Sequence, residues 1–399
     1  MSAPLQLRSL RIYQLAIPLR FRFEHAAAAR DLADPLILEL TAGSPYAHQA
    51  GYGEAVARSY VTGETAESVL TDIVDLFAPR LSSFRAASFV EVLEFSESLP
   101  MQVGGRVVTA ARAAVELALL DLAGRVFQRR LSEAAGWLGL PGFGAPGCLP
   151  QVRYSGIVVG RSQRRLKSLL RLQRLYGLRD FKLKVAVPGW EQRLLWAAST
   201  LGKSLSRGKV TLRVDANGAW TLEEARAAVP ALERLGVCAI EQPLADSADA
   251  DLPRLAQHTK CDLAVDESLL TLDDGQRLIR AGGVRIFNIR IAKNGGLLPA
   301  LRLARMALAA GLDVQLGCMV GETSILSAAG VLFLETCPKV RFVEGAFGRW
   351  LLRADVARQP VRFRFGGSIG APPGFGLPVV VDRDALNQLS INPPRLLAL

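Results

Sequence analysis

Between positions 152 and 343 the chain repeats one pattern: a short apolar run, then a helical stretch. The runs are Val152–Val159, Phe181–Val185, Val210–Val214, Val237–Ile240, Asp262–Val265, Val284–Ile291, Asp313–Leu316 and Val340–Val343. Stretches with helical periodicity, such as 222–235 and 298–310, lie between most pairs. Strand and helix in alternation specify a parallel sheet, and eight units of this size predict a closed (β/α)8 barrel of TIM type. An open doubly wound sheet is the rival. It would usually carry a Gly-rich phosphate fingerprint after its first strand, and Val158-Val-Gly-Arg161 is not one.

Upstream the pattern differs. Strand-like runs at 7–17 and 35–41 precede helical stretches at 66–77 and 109–127, which predicts an α+β domain over residues 1–136. A Gly- and Pro-rich stretch at 139–150 marks the boundary. The barrel is assigned to 150–360. The Gly- and Pro-rich tail, 361–399, is expected to pack back on the N-terminal domain. A length of 399 residues suits a barrel of ~250 residues with a smaller partner.

Charge and cysteine usage narrow the function classes. The net charge is +11, from 48 Lys and Arg against 37 Asp and Glu, a field that attracts anions. Along the chain this charge reads as scattered. Its densest stretch, 161–179, alternates with Leu at helical spacing and lacks the interleaved aromatics of a single-strand binder. Neither a nucleic-acid nor a membrane partner is expected. The five cysteines (Cys148, Cys238, Cys261, Cys318, Cys337) occur singly, which argues against a disulfide framework or a structural zinc site. No signal peptide and no apolar run of ~20 residues is read, so the expected compartment is the cytoplasm.

Polar residues recur at the ends of the expected strands: Lys182 and Lys184, then Asp215, Glu241, Asp266 and Arg290. From Lys184 onward the intervals are 31, 26, 25 and 24 residues, each about one βα unit. These groups should therefore share one level at the barrel mouth, where such folds place their chemistry. Three carboxylates brought together are costly without a cation. Asp, Glu and Asp are hard oxygen ligands suited to Mg²⁺. Each taken alone also reads as an N-cap of the helix that follows. Lys182 and Lys184 occupy alternate positions and face the barrel interior, with Leu183 pointing outward.

The segments Lys182-Leu-Lys-Val185, Val214-Asp-Ala-Asn-Gly-Ala-Trp220, Ile240-Glu-Gln-Pro243 and Val265-Asp-Glu-Ser268 resemble the muconate cycloisomerase subgroup (mandelate racemase/muconate lactonizing enzyme group) of the enolase superfamily. Tyr52-Gly-Glu54 and Thr62-Gly-Glu-Thr65 resemble its capping domain. The resemblance implies one Mg²⁺ on Asp215, Glu241 and Asp266, with Asn217 supporting that shell. It implies Lys184 as the base that takes a proton α to a substrate carboxylate, its pKa lowered by Lys182 and the metal. Lys182 would help polarise the carboxylate. The family commonly assembles as dimers or octamers.

Arg290 departs from the family's pattern, which has lysine there. Arginine stays protonated and is a poor base. One-face chemistry is therefore expected, such as elimination or cycloisomerisation. The alternatives are a racemase or epimerase of an amino-acid derivative, and a carboxylate-binding member with impaired catalysis. Lys293 matches a non-catalytic position. Glu322 is a candidate substrate contact, with a helix-capping role as its rival. Glu344 is a candidate for binding a cationic group. The capping domain sets specificity in the family, and its candidates here are Phe21, Phe23, His25 and Tyr60.

Overall fold

A computed structural model describes residues 3–24, 29–144, 152–160, 162–185, 187–370 and 373–399. All eight expected apolar runs become strands of one sheet, paired in chain order. They are Gly156–Val158, Asp180–Lys184, Thr211–Asp215, Ala239–Glu241, Asp262–Val265, Ile286–Ile289, Asp313–Leu316 and Phe342–Val343. Every pairing is parallel. The sheet closes on itself where Tyr154 bridges Val343 and the Ser155 N–H donates to the Val343 carbonyl at 2.8 Å. The result is the barrel the alternation predicts.

Inside the barrel, Ala239, Ala264, Ile286 and Phe342 form a small apolar plug. The alanines leave room for Arg213, which is fully buried with its guanidinium over the Phe342 ring at 4.4 Å. Above this plug the interior is polar, and it is there that the strand-end residues gather.

The N-terminal sheet runs in the order Arg395–Ala398, Leu5–Gln14, Leu36–Ala42, Ala50–Ala55. The chain's last strand pairs antiparallel with its first, Ser9 opposite Ala398. The sheet packs on the helix Thr109–Phe127, buried around almost its whole circumference. Gly53 explains how closely. A Cβ there would lie 1.8 Å from the Ala114 carbonyl oxygen, so only glycine lets strand 50–55 reach the helix backbone.

Three buried glutamates tie this domain to helix N-termini, where unpaired N–H groups and the helix dipole favour an anion. Glu64 accepts from the Ala110 N–H at 3.0 Å. Glu54 accepts from the N–H groups of Thr323 at 2.7 Å and Leu326 at 3.0 Å, at the start of helix Ser324–Thr336. Glu116 accepts from Leu297 and Leu298 at 2.5 and 3.3 Å, at the start of helix Leu297–Ala309. Gly296, at φ 124°, makes room there, because a Cβ would fall 1.8 Å from the Glu116 carboxylate. The Tyr-Gly-Glu and Thr-Gly-Glu motifs are thus helix caps, two of the three glutamates acting across the domain boundary on barrel helices. Asp121 does the same for the tail, accepting from Leu377 N–H at 2.7 Å.

Candidate active site

Register decides which side chains meet. Lys184, Asp215 and Glu241 are neighbours across three strands, and Glu241 aligns with Ala264, two residues before Asp266. The helices after the Asp215 and Asp266 strands are capped by Thr221 and Thr271, and the short helix after the Glu241 strand has no side-chain cap, so none of the carboxylates serves as one. The carboxylates are therefore left to the interior, where all three are at most 1 % exposed.

Each meets protein cations or amides. Glu241 accepts from Lys182 Nζ at 3.1 Å and Asn288 Nδ2 at 3.0 Å on one oxygen, and from Gln315 Nε2 at 2.8 Å on the other. Asp215 Oδ1 accepts from the Asn217 N–H at 3.0 Å, while its Oδ2 lies 3.5 Å from Lys182 and 3.7 Å from Lys184. Asp266 Oδ1 accepts from Lys293 Nζ at 2.9 Å, and its Oδ2 is ion-paired with Arg290. Lys293 is wholly buried and donates also to the carbonyls of Asp266 and Asn288, at 2.6 and 2.9 Å, so all three of its N–H groups are engaged.

The two lysines of the second strand are set apart electrostatically. Burial opposes the charge of Lys182, but Glu241, Glu344 and Asp215 outweigh it and hold the ammonium above its ordinary range. Lys184 lies nearer the mouth, its side chain 20 % exposed, and donates to Asn217 Oδ1 at 2.8 Å. Burial pulls its pKa down. Asp215 resists, and Lys182 and Arg290 add to the fall. The direction matches the sequence expectation, with burial the larger cause and Lys182 a contributor.

Asp215 Oδ2 is buried and accepts no hydrogen bond, and Asp266 Oδ2 meets only the Arg290 guanidinium. Beside Glu241 these carboxylate oxygens are a hard donor set whose chemistry fits Mg²⁺. As the side chains stand, no three acidic, His or Cys groups among the described residues close around one point, because Arg290 lies on Asp266 and Lys182 on Glu241. Asn217 spans the edge of this set, also donating to Glu267 Oε1 at 3.2 Å.

The remaining candidates divide. Glu344 does bind cations, but internal ones: Arg213 at 2.5 Å and Lys182 at 2.7 Å take its two oxygens. Glu322 lines a small cavity with Arg290, Tyr154, Met319 and Ser327. It does not cap the next helix, a position filled by Thr323 and Glu54. Its oxygens accept from Met319 N–H at 3.0 Å and Ser327 Oγ at 3.3 Å. Tyr60 is half-buried on the short helix Ser59–Thr62, beside Arg58, whose guanidinium donates to the Val320 carbonyl at 2.6 Å next to that loop. Phe21 is 41 % exposed on strand Ile17–Glu24. Phe23 lies on the same strand, with its side chain outside what is described, and His25 and Cys148 fall outside the described residues.

Asn288, Gln315, Lys293 and Arg213 were not anticipated as neighbours of the site. The signal for Asn288 and Gln315 is a polar residue at an inward position of an otherwise apolar strand, which the alternation rule could have found.

Burial, with Glu54 nearby, lifts the Glu322 carboxyl from 4.5 to about 8. A folded-state pKa above the unfolded one means stability that is present below pH ~4.5 and lost as pH rises through about 8. Glu54 and Glu116, raised to about 7 mainly by burial, act in the same direction. The melting temperature should therefore fall between pH 5 and 8.5 (the interval spanning these carboxyls), and Glu322→Gln should flatten the upper part of that slope. An unchanged slope in the variant would show that Glu322 is not the titrating group.

The sequence model described as "Enolase C-terminal domain-like" matches residues 165–385. A chloromuconate cycloisomerase of Cupriavidus pinatubonensis is 29 % identical over 341 residues, 85 % of this chain and 87 % of that protein. The structure of a muconate lactonizing enzyme from Pseudomonas fluorescens, complexed with muconolactone, superposes with a TM-score of 0.83 at 24 % identity, covering 97 % of this chain and 99 % of that one. A dipeptide epimerase from Cytophaga hutchinsonii, complexed with Mg and D-Ala-L-Val, gives 0.82 at 21 % identity, covering 98 % and 99 %. With more than half of its length matched by the family's model and relatives aligned over most of the rest, the chain belongs to the enolase C-terminal domain-like family and is an enzyme of the enolase superfamily, in its muconate cycloisomerase subgroup.

Proposed function

We propose that this protein removes a proton from the carbon α to a substrate carboxylate, with Lys184 as the base, and completes the reaction on one face as an elimination or cycloisomerisation. The observation that carries this is the division between the two lysines. Lys182 is deep, touched by three carboxylates and held charged. Lys184 is at the mouth and drawn below its ordinary range, as a base working near neutral pH requires.

Asp215, Glu241 and Asp266 would hold Mg²⁺, consistent with the Mg in the dipeptide epimerase structure. Bound there, the ion supplies positive charge for the substrate carboxylate and for the charge that builds on it as the proton leaves. The chain's own groups do the rest. Asn217 fixes the Lys184 amine through its side-chain oxygen while its backbone N–H holds Asp215. Lys182 stays an ammonium beside the forming negative charge. Arg290 cannot act as a second base, and Lys293, with every N–H engaged, does not replace it. This supports one-face chemistry over racemisation.

The test is α-proton exchange in D₂O with Mg²⁺, across acylamino acids, hydroxy acids, lactones and proline derivatives. Deuterium incorporation or elimination is expected with one class of acid, abolished by EDTA and restored by Mg²⁺. Turnover that survives exhaustive chelation would refute the metal assignment. Deuterium in both stereoisomers of a substrate would refute the one-face assignment.

A further inference from the structure

The excess positive charge, scattered along the sequence, gathers where two segments meet. Residues 162–179 hold six Lys and Arg and no acid. Residues 345–370 hold five Arg and one acid, Asp355, which is engaged by Ser324 Oγ at 2.8 Å. The segments join at Tyr176. Its ring lies 6.1 Å from that of Trp350 and 6.0 Å from that of Phe365, its carbonyl accepts from Gly366 N–H at 2.8 Å, and its hydroxyl donates to the Phe363 carbonyl.

Around this junction apolar side chains stand in solvent: Leu172 at 60 %, Leu175 at 77 %, Trp350 at 46 % and Phe365 at 69 % exposure. Each directly follows an arginine, in Arg171-Leu172, Arg174-Leu175, Arg349-Trp350 and Arg364-Phe365. Arg349 also stacks over the Trp350 ring at 5.3 Å. Contiguous exposed apolar groups rimmed by charge mark an interaction surface.

We infer that this face docks on an anionic phospholipid bilayer, with the leucine and aromatic side chains entering the headgroup boundary and the arginines meeting lipid phosphates. Charge complementarity selects the occupant. A second copy packed through the same patch would set arginines against arginines. A nucleic acid would satisfy the arginines and stack on the rings, but it offers Leu172 and Leu175 nothing, whereas an interfacial bilayer region takes leucine, aromatic and cation together. None of Leu172, Leu175, Trp350 and Phe365 lines the cavity that holds Arg290 and Glu322.

The experiment is vesicle co-sedimentation of the full-length protein. Binding is expected to phosphatidylcholine vesicles containing phosphatidylglycerol, to weaken as NaCl is raised, and to be absent with phosphatidylcholine alone. The double variants Leu175→Glu/Phe365→Glu and Arg171→Glu/Arg349→Glu should each lower partitioning by at least about tenfold, with unchanged circular dichroism melts and unchanged α-proton exchange. Three results would overturn the inference: no binding to anionic vesicles, binding undiminished in both variants, or capture of a single-stranded oligonucleotide in preference to vesicles. Dimerisation abolished by the same substitutions, without vesicle binding, would assign the face to a second copy instead.

Discussion

Lys184→Ala is expected to lower kcat by roughly 10²–10⁴-fold, the range a positioned proton acceptor contributes, while leaving Mg²⁺ binding in place. The residue lies outside the donor set, 3.7 Å from Asp215 Oδ2, so the carboxylates keep their positions without it. Lys184→Arg separates the two things the side chain provides. Arginine restores the positive charge beside Asp215 but cannot give up its proton, so it should be as inactive as alanine if proton transfer is the role. Recovery of much of the activity in the arginine variant would mean that Lys184 acts through charge alone. The wild-type rate should rise with pH through a value below the ordinary lysine range, because burial favours the neutral amine. Lys182→Met should behave differently. It removes an ammonium that Glu241, Glu344 and Asp215 share, so losses of folding stability and of substrate affinity should accompany any loss of kcat.

Above about pH 8, where a carboxyl raised to about 7 is ionised, Glu116→Ala is expected to cost about 3–5 kcal/mol of unfolding free energy, the range for breaking a buried charged pair from one side. Its carboxylate is fully buried, 3.3 Å from Arg112 Nη1, and receives the first N–H groups of helix Leu297–Ala309. Alanine would leave those donors unmet and Arg112 buried without its counter-charge. Arg112 still donates to the carbonyls of Leu99, Ser96 and Gly295, which bounds the loss. Glu116→Gln keeps an acceptor for the helix N-terminus and should recover part of the deficit. Urea unfolding of the three proteins measures this directly. A midpoint for Glu116→Ala equal to wild type would mean that the helix start is not held by this carboxylate.

The barrel and the identity of its strand-end residues were legible in the chain. Alternation of apolar runs with helical stretches is a local property, and each βα unit has a nearly fixed length, so Asp215, Glu241 and Asp266 recur at one level whatever else the chain does. Helix 109–127 was likewise readable from its own composition, end to end. Tertiary structure alone decided which charge stands against which. Glu54 reaches Thr323 across 269 positions and Glu116 reaches Leu297 across 181. Gly53 matters because of a helix backbone some sixty residues away. Glu344, in the sequence a candidate for binding a cationic group, becomes the link between Lys182 and Arg213 once the barrel closes its eighth strand onto its first. Arg290 follows the same logic. Its presence is a fact of sequence, but its ion pair with Asp266, and the use of all three Lys293 donors beside it, come from side chains of different strands converging on one axis. Local pattern fixes period and direction along a strand, while the pairing of buried charges depends on closure, which no window of the sequence contains.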